Sequence, residues 1–162
     1  MHTLNELPHD KGAAYAELAQ QLRALLAGEH DLIANAANMA ALLFWGLPDL
    51  NWAGLYLVEP RSGELLLGPF QGKPACVRIA VGRGVCGAAA ARRETVVVPD
   101  VHAFPGHIAC DSASNSEVVV PVVRDGRLLG VLDLDSPLLA RFDEVDARGL
   151  ERLVQVFVES LG

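Results

Sequence analysis

The stretch Glu117–Ser136, EVVVPVVRDGRLLGVLDLDS, carries the clearest hairpin in the chain. Two β-branched and aliphatic runs, 117–123 and 127–135, flank Arg124-Asp125-Gly126, and an Asp-Gly pair between apolar runs is a strong short-range signal for a tight reversal. Alternation along the second run puts Asp133 and Asp135 on one face and Leu132 and Leu134 on the other. Carboxylates at the end of an apolar strand are costly unless solvated or paired, so they are expected at a solvated strand end or against a cation. The turn decides whether Glu117 joins them. A two-residue loop pairs Arg124 with Arg127 and leaves Glu117 and Asp133 on opposite faces. A three-residue loop, with Gly126 in a left-handed bulge, pairs Val123 with Arg127 and sets Glu117 across from Asp133. A shared acidic site requires the second register; a two-residue turn with no bulge further along would exclude it.

Upstream of the hairpin the periodicity divides the chain. Tyr15, Leu18, Ala19, Leu22, Leu25 and Leu26 recur at helical spacing, and after Gly28 a second helix is predicted with Asp31 as cap and Ile33, Ala36, Ala37, Ala40, Leu43 and Phe44 as its apolar face. From residue 51 the period falls to two. Strands are expected over 51–58, 64–71, 75–81 and 95–99, with a short alanine-rich helix over 85–92 and a loop from Asp100 to about Ser116. A last helix starts near Asp143 with Leu150, Leu153, Val154, Phe157, Val158 and Leu161 on its buried stripe. Strands flanked by helices at both chain ends predict an α+β fold. Its mostly antiparallel sheet carries the terminal helices on one face and a ligand pocket, crossed by the 100–116 loop, on the other. The reading is one domain over 1–162.

In NWAGLYLV, Trp52, Gly54, Tyr56 and Val58 share a face opposite Ala53, Leu55 and Leu57. The aliphatic side suits the helices. The other suits a ligand, since glycine leaves space that Trp and Tyr can wall, although both aromatics could equally fill core. A hydrophobic content of 51% excludes a disordered chain, and a net charge of −7 argues against nucleic acid or an anionic membrane as partner. No membrane span or signal peptide is legible, so a cytoplasmic location is expected. Three cysteines, Cys76, Cys86 and Cys110, fit a disulfide framework poorly and show no zinc-type spacing; the plain alternative is three buried thiols. Cys86 opens the alanine-rich helix, where the macrodipole should lower its pKa.

These motifs together resemble the free methionine-(R)-sulfoxide reductases, a family built on a GAF-type domain. The resemblance rests on NWAGLYL, on the spacing of Cys76, Cys86 and Cys110, on VPDVHAFPGHIACDSASNSEVVVPV, and on LLGVLDLDSP followed by F-x-x-x-D. It implies a GAF-like sheet of about six antiparallel strands and reduction of free methionine (R)-sulfoxide, recycled by thioredoxin and ultimately NADPH without a bound cofactor or metal. It further implies that Cys110 attacks and Cys76 is the main resolving thiol, with Cys86 as an alternative partner. The chemistry needs at least two thiols, because a thiolate that takes the sulfoxide oxygen becomes a sulfenic acid that a second thiol must condense with. Free methionine sulfoxide carries an ammonium group that Glu117, Asp133 and Asp135 can bind, and Glu117, held protonated, can donate to the sulfoxide oxygen. Trp52 and Tyr56 are expected to hold the S-methyl group. Backbone N–H groups of the 112–116 loop or the 82–86 turn are expected to take the carboxylate. His107 is a further candidate base. One tension follows: nearby carboxylates raise a thiol pKa. The rival readings are a GAF sensor for a small ligand and a redox sensor whose disulfide signals without turnover. The apolar terminal helices are compatible with a homodimer.

Overall fold

An aspartate starts each of the first two helices in the computed structural model, which describes residues 3–108 and 110–162. Asp10 accepts from the Ala13 amide at 2.9 Å to cap α1 (Lys11–Leu26), and Asp31 accepts from Ala34 at 2.8 Å to cap α2 (Leu32–Gly46). The strands β1 (Trp52–Val58), β2 (Leu65–Gly72) and β3 (Arg78–Ile79) lead to α3 (Gly84–Arg92) and β4 (Val96–Val98). A long connection with one 3-10 turn (Val101–Ala103) reaches β5 (Ser116–Arg124) and β6 (Arg127–Ser136), and α4 (Glu144–Ser160) follows. The six strands form one antiparallel sheet in the order β3-β2-β1-β6-β5-β4.

The sheet separates two apolar clusters, as the alternation requires. Ala53, Leu55, Val118, Val120, Val122, Leu132 and Leu134 pack under α1, α2 and α4 against Leu18, Leu22, Met39, Leu43, Leu153 and Phe157. On the opposite face Trp52, Tyr56, Leu65, Val119 and Val131 meet Ile79 and the Val85, Cys86 and Ala89 side of α3. No helix of the described residues is long and apolar enough to cross a membrane.

Three expectations need correction. The Ala75–Val81 strand shrinks to Arg78–Ile79, because Pro74 and the neighbouring residues run as irregular chain and leave Cys76 in a loop. The buried stripe of α2 is Asn35, Ala36, Met39, Ala40, Leu42 and Leu43, with Ile33 and Ala37 exposed. Asn35 fixes that rotation by donating to the Glu29 carbonyl at 2.9 Å and the Ser160 hydroxyl at 3.0 Å. The third concerns the hairpin. Its turn is the two-residue kind, with Asp125 and Gly126 at φ of 50° and 76° and Arg124 paired with Arg127. The register then slips between Val123, which faces Leu128, and Val122, which faces Gly130. This bulge inserts one residue on β6 and reverses the parity. Leu128 and Val131, three apart, both join the α3-side cluster. Glu117 therefore shares a face with the aspartates, opposite Asp135 rather than Asp133, whose partner is Val119. Gly130 permits the bulge: a Cβ there would run into the Tyr56 carbonyl oxygen of β1.

The start of α4 holds the helical layer together. Asp143 and Asp146 form a capping box. The buried Asp146 also accepts from the Tyr15 hydroxyl at 2.7 Å, Lys11 Nζ at 2.7 Å and Arg141 Nη1 at 3.3 Å. Truncating it strands buried donors on two other elements. Asp146→Ala should lower unfolding stability by about 3 kcal/mol, and Tyr15→Phe by about 1 kcal/mol. Both are read as shifts of the urea midpoint at unchanged slope.

Candidate active site

Register places three carboxyl groups side by side. Glu117 faces Asp135, and Asp135 faces Trp52 across the next strand; one step further, Asp133 faces Gly54. All three are buried, at 6%, 9% and 6% exposure for Glu117, Asp135 and Asp133, so the solvated strand end is excluded. Burial, followed by the charges of Asp133 and Asp135, pushes the Glu117 carboxyl well above the carboxylate range. Burial and then Asp135 do the same to Asp133, and burial raises Asp135 to about 6 against the opposing hydrogen bond from Glu117. The Oδ1 of Asp133 has no hydrogen-bond partner among the described residues. Such a cluster holds protons when alone and offers a ready seat to an entering cation.

The aromatic wall is tied to the cysteine loop. Trp52 stacks between Tyr56 and Phe70, with ring centroids at 5.9 Å and 5.2 Å. Gly54 makes room, since a Cβ there would meet Trp52 Cη2 at 2.7 Å and also strike Phe70. The indole Nε1 donates to the Lys73 carbonyl at 3.1 Å and the Tyr56 hydroxyl to the Cys76 carbonyl at 2.9 Å. Each buried aromatic thus spends its polar end on the segment that carries Cys76.

Cys76 and Cys110, 34 positions apart, form a disulfide with Cα atoms 5.6 Å apart. Cys86 is a free, buried thiol in the first turn of α3. The expected lowering of its pKa by the macrodipole does not occur. Burial raises it well above its ordinary value, and Asp133, Glu117 and Asp135 add to the effect. Its sulfur and one oxygen each of Glu117 and Asp133 lie within 4.8 Å of one another, close enough to ligate a small cation.

Of the backbone donors considered for a carboxylate, three loop amides are already engaged. Ala113 donates to Asp111 Oδ1 at 2.9 Å, Ser114 to the Asp111 carbonyl at 3.2 Å, and Asn115 to the Ser136 carbonyl at 2.8 Å. The opening residues of α3, Gly84, Val85 and Cys86, line the pocket instead, with first-turn amides that have no intrahelical acceptor. His107 also lines it, its imidazole pushed toward the neutral form by burial. The pocket gathers Trp52, Tyr56, Cys86, Cys110 and all three acids. Cys76 stands at its rim through Pro74, Ala75 and the disulfide.

The GAF domain family matches residues 12–162. The free methionine-R-sulfoxide reductase of Escherichia coli (strain K12) is 54% identical over 145 residues, 90% of this chain and 87% of its own. The chain belongs to the free methionine-(R)-sulfoxide reductase family. Solved structures agree with this membership. The Neisseria meningitidis reductase in complex with its substrate superposes with a TM-score of 0.95 at 51% identity, covering 99% of this chain and 96% of that one. The reduced form of the Staphylococcus aureus protein gives 0.89 at 48% identity, covering all of both chains.

Within this reductase scaffold, the sequence reading missed Asn51. Its Nδ2 donates to Asp111 Oδ2 at 3.1 Å and Ser114 Oγ at 3.0 Å, stitching the Cys110 loop to the start of β1. An amide just before an apolar strand was the available signal. The raised carboxyls give a stability signature. A carboxyl whose folded pKa lies above its unfolded value favours the fold most at low pH, and that advantage is lost as pH rises through the folded pKa. Relative to Asp135→Asn, the wild type should lose about 2 kcal/mol of unfolding stability between about pH 4 and about pH 7. Urea titrations of both proteins across that range measure it.

Proposed function

We propose that the chain reduces free L-methionine (R)-sulfoxide to methionine through Cys110, with Cys76 as the resolving thiol and thioredoxin as the external reductant. The observation that carries this reading is the Cys76–Cys110 disulfide lying at a pocket floored by three buried acids. The Cys110 thiolate attacks the sulfoxide sulfur. The oxygen passes to Cys110 as a sulfenic acid, the proton comes from the acid cluster, and methionine leaves. Cys76 then attacks the sulfenic sulfur, water departs, and the disulfide forms. A dithiol reductant near −270 mV is suited to reopening it, roughly as thioredoxin does. No prosthetic group is needed, and a reducing cytoplasmic compartment suits the cycle.

The acids serve two purposes in this scheme. Asp133, with its unpartnered oxygen, and Asp135 receive the substrate ammonium. Glu117, raised well above the carboxylate range and hydrogen-bonded to Asp135, donates to the sulfoxide oxygen. The tension between thiolate and acids eases, because protons held by Glu117 and Asp133 remove most of the negative charge facing Cys110. Trp52 and Tyr56 wall the S-methyl group, and the first-turn amides of α3 take the carboxylate. Cys86 serves less well as a resolving thiol, since its burial beside the acids keeps it protonated.

NADPH-coupled turnover with thioredoxin tests the scheme on separate R and S epimers, free and peptide-bound. Cys110→Ser should abolish turnover, and full activity would sink the nucleophile assignment. Cys76→Ser should still yield about one methionine per chain in a single turnover while losing most steady-state rate. The acid cluster requires a free ammonium. Equal reduction of peptide-bound substrate contradicts its role, whereas Asp133→Asn should raise KM about tenfold or more.

A further inference from the structure

The disulfide proposed above must be reopened once per turnover, and exposed apolar and cationic side chains stand around it. Cys76 and Cys110 are both partly exposed. Val77, next to Cys76, is 60% exposed, Ile108 is 38% exposed and Val81 is 46% exposed. These side chains are linked through the fold. A Cβ at Gly84 would meet Ile108 Cδ1 at 3.2 Å, so Ile108 lies over the start of α3. Val81 sits in the turn leading into that start, closed by Gly82 N donating to the Gly87 carbonyl at 2.8 Å. The charges are equally selective. In a chain of net charge −7, residues 65–92 contain no acid, while Lys73, Arg78 and Arg83 stand exposed in the same segment. Arg78 meets Glu64 at 3.3 Å, but both are well exposed and the pair neutralises little.

We propose that the apolar patch of Val77, Val81 and Ile108, bordered by Lys73, Arg78 and Arg83, is the docking surface for the protein dithiol that reduces the Cys76–Cys110 disulfide. The proposal rests on the assignment of that disulfide as the catalytic one. Apolar side chains held out in water beside a partly exposed disulfide favour a partner whose own thiol sits within an apolar rim, and the cationic border favours acidic groups around it. The bound partner's thiolate attacks one sulfur of the disulfide, forming a mixed disulfide and releasing the other cysteine as a thiolate that takes up a proton. The partner's second thiolate then attacks its own sulfur in the mixed disulfide. It closes the partner's disulfide and frees the remaining cysteine, which is also protonated. Two electrons and two protons pass from the partner to Cys76 and Cys110. A small dithiol performs the same exchange without a surface.

That difference supplies the test. Val77 and Val81 lie outside the pocket lining, so the double variant Val77→Ser/Val81→Ser is compared with wild type at saturating free methionine sulfoxide. One assay is driven by thioredoxin and the other by dithiothreitol. The expected result is a thioredoxin KM raised about tenfold or more, with the dithiothreitol-driven rate unchanged. Raising salt from about 0.02 M to about 0.3 M should weaken the thioredoxin KM severalfold in the wild type and leave the small-dithiol rate alone. An unchanged thioredoxin KM in the variant overturns the docking surface. Equal loss with both reductants also counts against it, since the valines would then support the pocket itself. A variant that alters oligomeric state in sedimentation while keeping its thioredoxin KM assigns the patch to a second copy of this chain instead. Absence of dithiothreitol-driven turnover in the wild type defeats the underlying catalytic reading, and is thereby distinguishable from failure of the surface.

Discussion

One inserted residue on β6 governs the chemistry of this protein. Side chains alternate across a strand, so a hairpin closed by a two-residue turn would turn Glu117 away from Asp133 and Asp135. The slip between Val122 and Val123 returns it to their face. The cost is a stretch of ladder with one residue unpaired, made possible because Gly130 lets the Tyr56 carbonyl approach. Without the bulge, Glu117 would point into the layer filled by Leu43, Leu153 and Phe157, where a carboxyl has no partner.

Three neighbouring acids under one roof behave as a unit. Burial dominates all three; Asp133 and Asp135 raise Glu117, Asp135 raises Asp133, and the Glu117 hydrogen bond draws Asp135 back down. Burial keeps protons on Glu117 and Asp133 in the empty pocket, which in the proposed scheme suits attack by Cys110. In that scheme an ammonium group restores the charge by displacing protons, and substrate binding and proton supply are linked through the same atoms. The helical layer contributes by being rigid: Asp146 joins α1, α4 and the Arg141 segment in one buried polar knot, so the sheet beneath the pocket has a fixed back.

Much of this was legible from residue order. The alternation in NWAGLYLV sorts Trp52 and Tyr56 from Leu55 because a half-buried strand has only two faces. The Asp-Gly pair at Asp125 and Gly126 gives the hairpin, and the cysteine spacing with ACDSASNSE points to the reductase family. What was hidden depended on distance in three dimensions. A bulge leaves no composition signal beyond one glycine, so the partner of Glu117 came out two residues off. The Cys86 pKa was misjudged because a helix start is visible in sequence, whereas the acids stacked over it come from β5 and β6. The stripe of α2 was misplaced because Asn35 looks polar, and its partners at Glu29 and Ser160 explain its burial.

The hydrogen bonds from Trp52 to Lys73 and from Tyr56 to Cys76 carry a wider consequence. The rings that shape the space for a ligand also hang the segment bearing one half of the disulfide. A change of ring size made to admit a different side chain would therefore shift the reach of Cys76 toward Cys110. Under the proposed scheme, substrate range and redox cycling are mechanically yoked at these two positions. Divergence of this scaffold toward new ligands is easiest after the thiol chemistry has been given up, when the Lys73–Cys76 segment no longer has to arrive at a fixed place.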